Sequence, residues 1–364
     1  MYTNLRLIIT TALIAATCFF NVPVLVAEPT QHDAERLVQN INDKEHKIEH
    51  NLEESEKKFN IGEMIMHHIA DSHEWEFTHG VTIPLPVILY SADRGIEVFS
   101  SSNFHNDHHE YNGYHLVHGD SEQIIPVDES RVIYDFSITK NVASMLLSAV
   151  ILILVFTSIG SWYANNKGKA PKGFQSAMEV IILFIRDDVV KPNVGPKYEK
   201  YLPYLLTLFF FILINNILGL LPGSANLTGN IAVTMTLAVL TFIVVHLNAN
   251  GHYYKHLVKP TGVPIPLLII MIPVEIVGVF MKPFSLMVRL FANMTAGHII
   301  LLSLFGLIFI FQSIVIAPVI SLFALFLNFI EIMVAFIQAF IFTLLSSMYI
   351  GSAIEEHHHA DHGH

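Results

Sequence analysis

Long apolar tracts dominate the chain from about residue 140 onward, whereas apolar and polar positions are interspersed before it. Four tracts reach the length of a transmembrane helix, which needs about 17–25 mostly apolar residues. They cover about residues 141–163, 201–221, 231–247 and 265–352. The last tract requires two long helices with a turn near Gln312–Pro318. The pattern therefore predicts five transmembrane helices, of which the last two are long and tilted.

One further helix is predicted between the first two spans, from Phe174 to Lys191. Its apolar residues recur on one helical face, and its acidic residues fall outside that stripe. The apolar stripe consists of Phe174, Met178, Ile181, Ile182, Ile185 and Val189. This pattern is typical of an amphipathic helix that lies in the plane of the membrane surface.

Short apolar runs separated by turn residues replace the long tracts between residues 73 and 135. The runs Val81–Tyr90 and Ile96–Phe99 have the composition of strands, with Gly, Asn, Asp and Pro between them. We therefore predict a small β-rich domain over residues 73–135. Residues 28–72 place apolar side chains at helical spacing in an acidic sequence, which predicts a helical extramembrane segment.

The first 27 residues are typical of a secretory signal peptide. Arg6 precedes a short apolar run, and Ala27 is a suitable residue before the cleavage site. Leu25 stands where a small residue is preferred, so an uncleaved first helix is the alternative. The predicted fold class is thus an all-α polytopic membrane protein, with five transmembrane helices and one in-plane helix, preceded by an extramembrane β-rich domain.

Charge divides the chain along the same boundary. Charged residues make up only 14% of the 364 residues, against about 25% in soluble proteins. Residues 28–135 contain 22 Asp and Glu, 7 Lys and Arg, and 12 of the 21 histidines. The net charge of −11 leaves no basic patch for phosphates, which argues against a nucleic-acid partner. The single Cys18 cannot form an internal disulfide or a thiolate cluster.

Basic residues alternate between the predicted loops. The segment between the first two spans contains seven Lys and Arg, and the 250–262 loop contains Lys255 and Lys259. The loops near 222–230 and 312–320 contain none. By the positive-inside rule, the acidic domain lies outside and the C-terminus lies in the cytoplasm. We therefore predict a multi-pass protein of a bacterial inner membrane, with a membrane domain over residues 136–356 and a His-rich tail over residues 357–364.

Three charged residues interrupt the long apolar tract at intervals of seven. Glu275, Lys282 and Arg289 therefore lie near one helical stripe. A central arginine costs at least about 2.5 kcal/mol to insert and stays protonated, so it needs a partner or an aqueous cavity. Lys282 is nearer the predicted cytoplasmic end, where a snorkelling interface anchor is the favoured interpretation.

The last helix has a matching pair of polar residues, Glu331 and Gln338, again seven apart. An antiparallel hairpin would place Arg289 at the height of Gln338 and His298 at the height of Glu331. His298 is nine residues from Arg289, which is about 2.5 helical turns. The two side chains therefore point to opposite faces of an ideal helix, and His298 is expected to face a separate aqueous route.

The residues around Arg289 closely resemble the signature of the ATP synthase subunit a family. The resemblance rests on Lys282-Pro283, Ser285, Arg289-Leu-Phe-Ala-Asn293, Gly297-His298 and Gln338-Ala-Phe-Ile-Phe342. It extends over about residues 136–356 and includes Phe184-Ile-Arg-Asp-Asp188, Lys191-Pro192, Asn216 and Leu220-Leu-Pro222.

This resemblance implies specific roles for the polar residues. Arg289 would be the essential cation that faces the ring of c subunits and meets each ring carboxylate. The implied proton-pathway residues are Glu275, Ser285, Asn293, His298, Glu331, Gln338 and Asn216. Some members place Glu on the first long helix and His on the second, whereas this chain has His298 and Glu331 in the opposite order. Gly219 stands where some members carry an acid, which weakens a channel role for that helix.

The implied function is proton conduction through two offset half-channels of the FO sector, coupled to ring rotation and ATP synthesis. The implied partners are the c-ring, the b subunits, the other subunits of the complex and membrane lipid. No cofactor is implied, and the nucleotide chemistry would belong to other subunits.

Parts of the sequence are also compatible with two other functions and with a metal site. A secondary transporter could use Arg289 as an anion or proton-coupling site, but it should show internal repeats, which the sequence lacks. A membrane-anchored binding module would leave the polar hairpin unexplained. The tracts His105–His109 and His357–His359 permit metal binding, yet their spacing is not that of a tetrahedral site. A solvated acidic surface is therefore favoured.

Overall fold

The computed structural model has strands between Glu74 and Asp135 and long helices from Lys140 onward. It describes residues 62, 65, 70–78, 81–105, 110–117, 122–128, 130–221, 225–258, 264–311, 313 and 315–355. The predicted signal peptide, the His-rich tail and nearly all of the acidic helical segment lie outside these residues.

Eight strands form three small antiparallel sheets in the described part of residues 74–135. They are β1 (Glu74–Thr78), β2 (Val81–Pro84), β3 (Pro86–Ser91), β4 (Gly95–Ser100), β5 (Glu110–Tyr111), β6 (Tyr114–Val117), β7 (Gln123–Pro126) and β8 (Ile133–Asp135). β1 pairs with β2, β3 lies between β4 and β8, and β6 lies between β5 and β7. This region is β-rich, as its sequence pattern predicts.

The predicted strand Val81–Tyr90 is divided into β2 and β3 at Leu85. The backbone N–H of Leu85 donates to the Ser101 hydroxyl at 3.1 Å and to the His73 carbonyl at 3.2 Å. The prolines on both sides of Leu85 lack an N–H, which limits ladder pairing here. The two halves therefore join different sheets. The second predicted strand, Ile96–Phe99, lies within β4.

Alternation in β3 directs one of its faces into a small core. Val87 and Leu89 are fully buried, whereas Tyr90, which points to the opposite face of β3, is exposed. The buried cluster consists of Val87, Leu89, Phe104, Tyr114, Leu116 and Ile124. These residues come from β3, β6, β7 and the short 3-10 turn Ser101–Phe104, so the core joins two of the three sheets.

The described helices follow from Lys140 onward. They are α1 (Lys140–Asn165), α2 (Phe174–Phe184), α3 (Lys191–Val194), α4 (Tyr198–Gly219), α5 (Ile231–Leu247), α6 (Gly251–Val258), α7 (Ile265–Phe311) and α8 (Ile316–Ile354). By length and composition, four stretches of the described chain could cross a membrane, or five if α5 and α6, which meet at 102°, form one broken span. The chain is thus a polytopic helical membrane protein.

The two longest helices are α7, with 47 residues, and α8, with 39 residues. At 1.5 Å per residue they extend for about 70 and about 60 Å, against about 30 Å for a hydrocarbon core. α7 ends at Phe311 and α8 begins at Ile316, so the boundary between them overlaps the turn predicted near Gln312–Pro318. Pro273 and Pro283 lie inside α7.

The predicted amphipathic helix Phe174–Lys191 is regular only as far as Phe184. A π-helical segment follows from Ile185 to Val190. α3 ends at Val194 and is followed by Gly195, whose φ of +73° glycine adopts without strain. Ile185, Val189 and Val190 are buried. The change of helix type therefore coincides with packing of this segment against the interior.

The interior of the helical part is built around α4, which packs against α1 and α8. Leu205, Phe209 and Ile212 on α4 are fully buried. A close approach between α8 and α3 depends on Gly351, because a Cβ there would collide with the backbone oxygen of Asn193. Most of the outer surfaces of α7 and α8 are exposed, since only 6% and 11% of their apolar windows are buried inside the chain.

A network of hydrogen bonds joins the β-rich region to the start of α1. The Lys140 N–H donates to the Ser72 carbonyl at 2.8 Å, and the Asn141 N–H donates to Asp71 Oδ1 at 3.0 Å. The Lys140 ammonium donates to the Ala70 carbonyl at 2.9 Å. The first turn of α1 is therefore capped by the chain that precedes β1, since its free N–H groups need acceptors.

A buried histidine lies next to this junction. His73 is 2% exposed, and its ring nitrogens lie 3.5 Å from Glu122 Oε2 and 3.5 Å from Asp135 Oδ2. Burial by itself would lower the pKa of His73, but the carboxylates of Asp135 and Glu122 outweigh it and raise that pKa to about 9. The protonated ring thus links the residue before β1 to β8 and to the residue before β7.

We expect the stability of this region to fall as pH rises from neutral to alkaline values. The pKa of His73 is about 9 in the folded chain and 6.5 in the unfolded one, so its stabilisation is complete below pH 6.5 and lost as pH passes 9. The free energy at stake is on the order of 3 kcal/mol. Fluorescence of Trp75 during denaturation of the full chain, in a Trp162→Phe background, measures it.

The matched controls are two histidine substitutions. His73→Gln should remove the alkaline loss of stability, whereas His105→Gln, at an exposed histidine 3.4 Å from Glu74, should leave it unchanged. An equal pH dependence with and without His73 would contradict the assignment.

Candidate functional site

The charged stripe predicted from the sequence lies on α7. Glu275, Lys282 and Arg289 are all partly exposed rather than buried. The Arg289 guanidinium donates from Nη2 to the Ser285 hydroxyl at 3.4 Å, one helical turn earlier. This contact uses one of the five N–H donors of the guanidinium. Arg289 therefore keeps donors for a further partner.

The position of Arg289 is at the border between the packed and the outward surfaces of α7. Its neighbours Leu286 and Leu290 are 1% exposed and pack inside the chain. Val288 and Ala292 face outward, and so does Asn293, which was predicted to lie in the proton pathway. Arg289 thus lies where the packed face of α7 meets its exposed face.

Gln338 lies on α8 but is not hydrogen-bonded to Arg289. Among the described residues, the recorded hydrogen bond of Arg289 goes to Ser285. Gln338 is 7% exposed and lies between Ala335 and Ala339, which are fully buried and belong to the stripe of α8 that packs toward α4. The sequence pattern predicted a height-matched pair, and direct bonding between its members is not found.

In the second predicted pair, the Glu331 side chain packs against α7 beside the residue that precedes His298. A Cβ at Gly297 would collide with Glu331 Oε1, so the Glu331 carboxyl lies directly over Gly297, the residue before the half-buried His298. The other oxygen, Oε2, is buried without a hydrogen-bond partner in the described chain. Burial of an unpaired carboxylate oxygen is costly, and a group in this setting is suited to accept and release a proton.

Asn216 occupies a closed hydrogen-bond network rather than an open surface. Its side chain is fully buried, its Nδ2 donates to the Ala335 carbonyl at 3.1 Å, and its Oδ1 accepts from the Thr228 hydroxyl at 2.7 Å. The Thr295 hydroxyl of α7 donates to the Gly229 carbonyl in the same loop at 3.3 Å. Asn216 therefore joins α4, the 227–229 turn and α8, which are far apart in sequence.

A cavity of about 280 Å³ lies beside the opposite end of the charged stripe, and we call it the vestibule. Its polar lining includes Glu275 and Lys282 of α7, His252 and His256 of α6, and Glu355 at the end of α8. The Lys282 ammonium is 5.4 Å from the centre of the Tyr349 ring, which is within the range of a cation–π contact. Lys282 thus contacts α8 as well as the cavity.

Sequence reasoning overlooked several of these residues. Thr228 and the two α6 histidines carry no motif, and they join the site only when the helices pack together. The one available signal for the histidines was their spacing of four residues, which places them on one helical face.

The described helices and their charged stripe define a class of protein: a polytopic α-helical membrane protein with ionisable residues on two long apolar helices. Comparison with known proteins identifies the family. Residues 142–351 match the family described as ATP synthase A chain, and residues 64–142 match a domain of unknown function. The chain therefore belongs to the ATP synthase A chain family.

Similar bacterial proteins are named ATP synthase subunit a. That of Chloroherpeton thalassium is 52% identical over 64% of this chain and 71% of its own length. That of Chlorobium phaeobacteroides is 44% identical over 83% of this chain and 78% of its own length. That of an Anaeromyxobacter species is 38% identical over 83% and 72%.

The family assigns the general function. The chain is the proton-channel subunit of the FO sector and a membrane component of a proton-translocating complex, and it assembles with other ATP synthase subunits. The secondary-transporter alternative is not favoured.

Proposed function

We propose that the chain conducts protons through two offset half-channels that meet at Arg289 and exchange protons with the carboxylates of a c-ring. The single observation that carries this proposal is the position of Arg289, partly exposed on α7 between Glu275 with its vestibule and His298 with Glu331. Along the helix these groups are about 20 Å and about 14 Å from Arg289 at 1.5 Å per residue. The two polar regions are therefore offset along α7.

In this proposal Arg289 is the essential cation opposite the ring. A guanidinium is always charged, and it favours the ionised form of a carboxylate that approaches it. Each ring carboxylate would therefore release its proton near Arg289 and take up another beyond it. The same fixed charge would repel protons, so it would prevent a direct leak between the half-channels. Ser285 would orient the guanidinium through its 3.4 Å contact.

Glu331 and His298 would form the outer half-channel. The Glu331 carboxyl is adjacent to the backbone of Gly297, and an imidazole and a carboxyl can relay a proton in either order. Asn216 would position this route, because its amide ties α8 to α4 and to the 227–229 turn. Asn293 and Gln338 would contribute polar groups near Arg289, one on the outward surface of α7 and one in the interior of α8.

Glu275 would be the principal proton carrier of the inner half-channel. It lines the vestibule together with Lys282, and charged side chains within a transmembrane helix mark ion pathways by default. The outward apolar surfaces of α7 and α8 would contact the c-ring and lipid. Large exposed apolar patches of this kind mark membrane or protein contacts.

The proposed topology has five membrane spans, which are α1, α4, α5, α7 and α8, with α2 in the plane of the membrane. α7 and α8 would be strongly tilted, because they are longer than a perpendicular span. The positive-inside rule places the β-rich domain over residues 73–135 in the periplasm and the C-terminus in the cytoplasm of a bacterium. Residues 1–27 would be a signal peptide, 28–72 an acidic helical segment, 136–356 the membrane domain and 357–364 a tail.

The proposal includes the c-ring and the b subunits as partners and no nucleotide chemistry in this chain. Purification of the protein from native membranes in mild detergent tests the ring contact. We expect a small c-ring proteolipid to co-purify with it, and to be lost when bulky charged residues replace the outward Phe284 and Val288 of α7. Substitution of the exposed Leu154 on α1 is the matched control. Purified complex without any such proteolipid would contradict the proposal.

A further inference from the structure

The short helix α6 is held across the cytoplasmic-side end of α8 by backbone contacts. The Asn250 N–H donates to the Ala353 carbonyl at 2.9 Å, and the Asn250 side-chain amide donates to the Ile354 carbonyl at 2.7 Å. The Tyr254 hydroxyl donates to the His246 carbonyl at 2.8 Å, across the 102° bend between α5 and α6. These bonds fix α6 relative to α5 and α8, so the side chains on its cavity face have a defined position.

That face presents two imidazoles to the vestibule. His252 and His256 are four residues apart and therefore lie one above the other on one side of α6. Both line the same cavity of about 280 Å³ as Glu275 and Lys282. This volume holds several water molecules. The histidines are exposed, whereas Glu275 is half-buried, so the imidazoles lie on the solvent side of the carboxylate.

We propose that His252 and His256 are proton-collecting residues, which carry protons between cytoplasmic water and Glu275. The inference rests on the proposed function, because it takes Glu275 as the proton carrier of the inner half-channel. One ring nitrogen accepts a proton from water, the other releases its proton to water in the vestibule, and the Glu275 carboxylate accepts it. Each step moves one proton between lone pairs, and no other bond changes.

Imidazole suits this task better than the other groups that face the vestibule. Its ordinary pKa lies near neutrality, so it can both bind and release a proton at cellular pH. The other ionisable groups of the lining are an ammonium, a phenol and a carboxyl, which belong to Lys282, Tyr253 and Glu355. Groups of these types are less suited than imidazole to exchange protons near neutral pH. Two histidines near one half-buried carboxylate therefore raise the local supply of exchangeable protons.

The test uses the whole ATP synthase in liposomes, with the nucleotide-binding sector outside, so that the vestibule faces the assay medium. ATP-driven proton uptake is measured at neutral to alkaline pH in very dilute and in concentrated buffer. We expect His252→Gln/His256→Gln to pump at least about threefold more slowly in dilute buffer, since proton-relay groups typically contribute larger factors. Concentrated buffer should restore the rate, because mobile buffer replaces the fixed imidazoles.

The control variants distinguish a loss of proton collection from a disruption of the local structure. Lys255→Gln changes α6 at an exposed position that does not line the vestibule, so it should pump normally in both buffers. Each single histidine variant is assayed too, and should show a smaller defect of the same kind. An unchanged rate in dilute buffer overturns the inference, and so does a defect that concentrated buffer leaves in place. Arg289→Ala in the same vesicles tests the proposed function separately.

Discussion

We expect the Arg289→Ala variant to lose ATP-driven proton pumping while the complex still assembles. The guanidinium is the charge at the meeting point of the two polar regions of α7, and its recorded hydrogen bond within the chain is the 3.4 Å contact with Ser285. Its removal deletes electrostatic stabilisation, and loss of such a group lowers rates by at least about a hundredfold. Packing is little affected, because the buried neighbours Leu286 and Leu290 are unchanged. Acidification of liposomes measures the pumping.

Two further results would accompany that loss if Arg289 separates the half-channels. Passive proton permeability should rise in Arg289→Ala, because no fixed charge then blocks the direct path. Arg94→Ala, which removes an arginine that bonds to Asn112 on the surface of the β-rich region, should pump normally. Coupled pumping that persists in Arg289→Ala, in complexes with a normal subunit content, would contradict the mechanism.

The second large effect is expected at the outer pair. Glu331→Gln and His298→Gln keep approximate size but remove the proton-carrying group. Each should slow proton flux from the outer side at least about tenfold, since a positioned acid or base typically contributes a hundredfold or more. A diffusion potential across FO liposomes drives this flux, and a pH-sensitive dye inside the vesicles records it.

A substitution at Gly297 tests the same region by moving the Glu331 carboxyl without removing it. Gly297→Ala should also slow the flux, because its Cβ would displace the Glu331 carboxyl without removing it. Ser303→Ala, on an exposed turn of α7 where the hydroxyl bonds to Ile299, is the matched control. If flux is normal in both Glu331→Gln and His298→Gln, the outer half-channel has to be assigned to other residues.

Features that depend on local periodicity could be predicted well. The long tracts predicted α7 and α8 because helix length and apolar character are properties of consecutive residues. The antiparallel register predicted Glu331 near His298, and the structure places its carboxyl over Gly297. The sevenfold spacing of Glu275, Lys282 and Arg289 required only helix geometry.

Features that depend on packing could not be predicted. Gln338 was predicted to match Arg289 in height, yet its side chain belongs to the interior stripe of α8. The amide of Asn216 bonds to Ala335, 119 residues away, and the sequence does not specify that contact. Likewise, Leu85 divides a predicted strand because its N–H bonds to Ser101 rather than to a ladder neighbour.

The sequence by itself determined that Arg289 lies within a long apolar helix, that other ionisable residues share its stripe and that a β-rich region precedes the membrane part. These properties follow from residue spacing and from the cost of charge in hydrocarbon. Tertiary structure alone decided other contacts: His73 with two carboxylates, Asn216 with Ala335, and two α6 histidines with Glu275 around one cavity. Such meetings depend on how separate elements pack, because side chains distant in sequence come together only after the helices and sheets have docked.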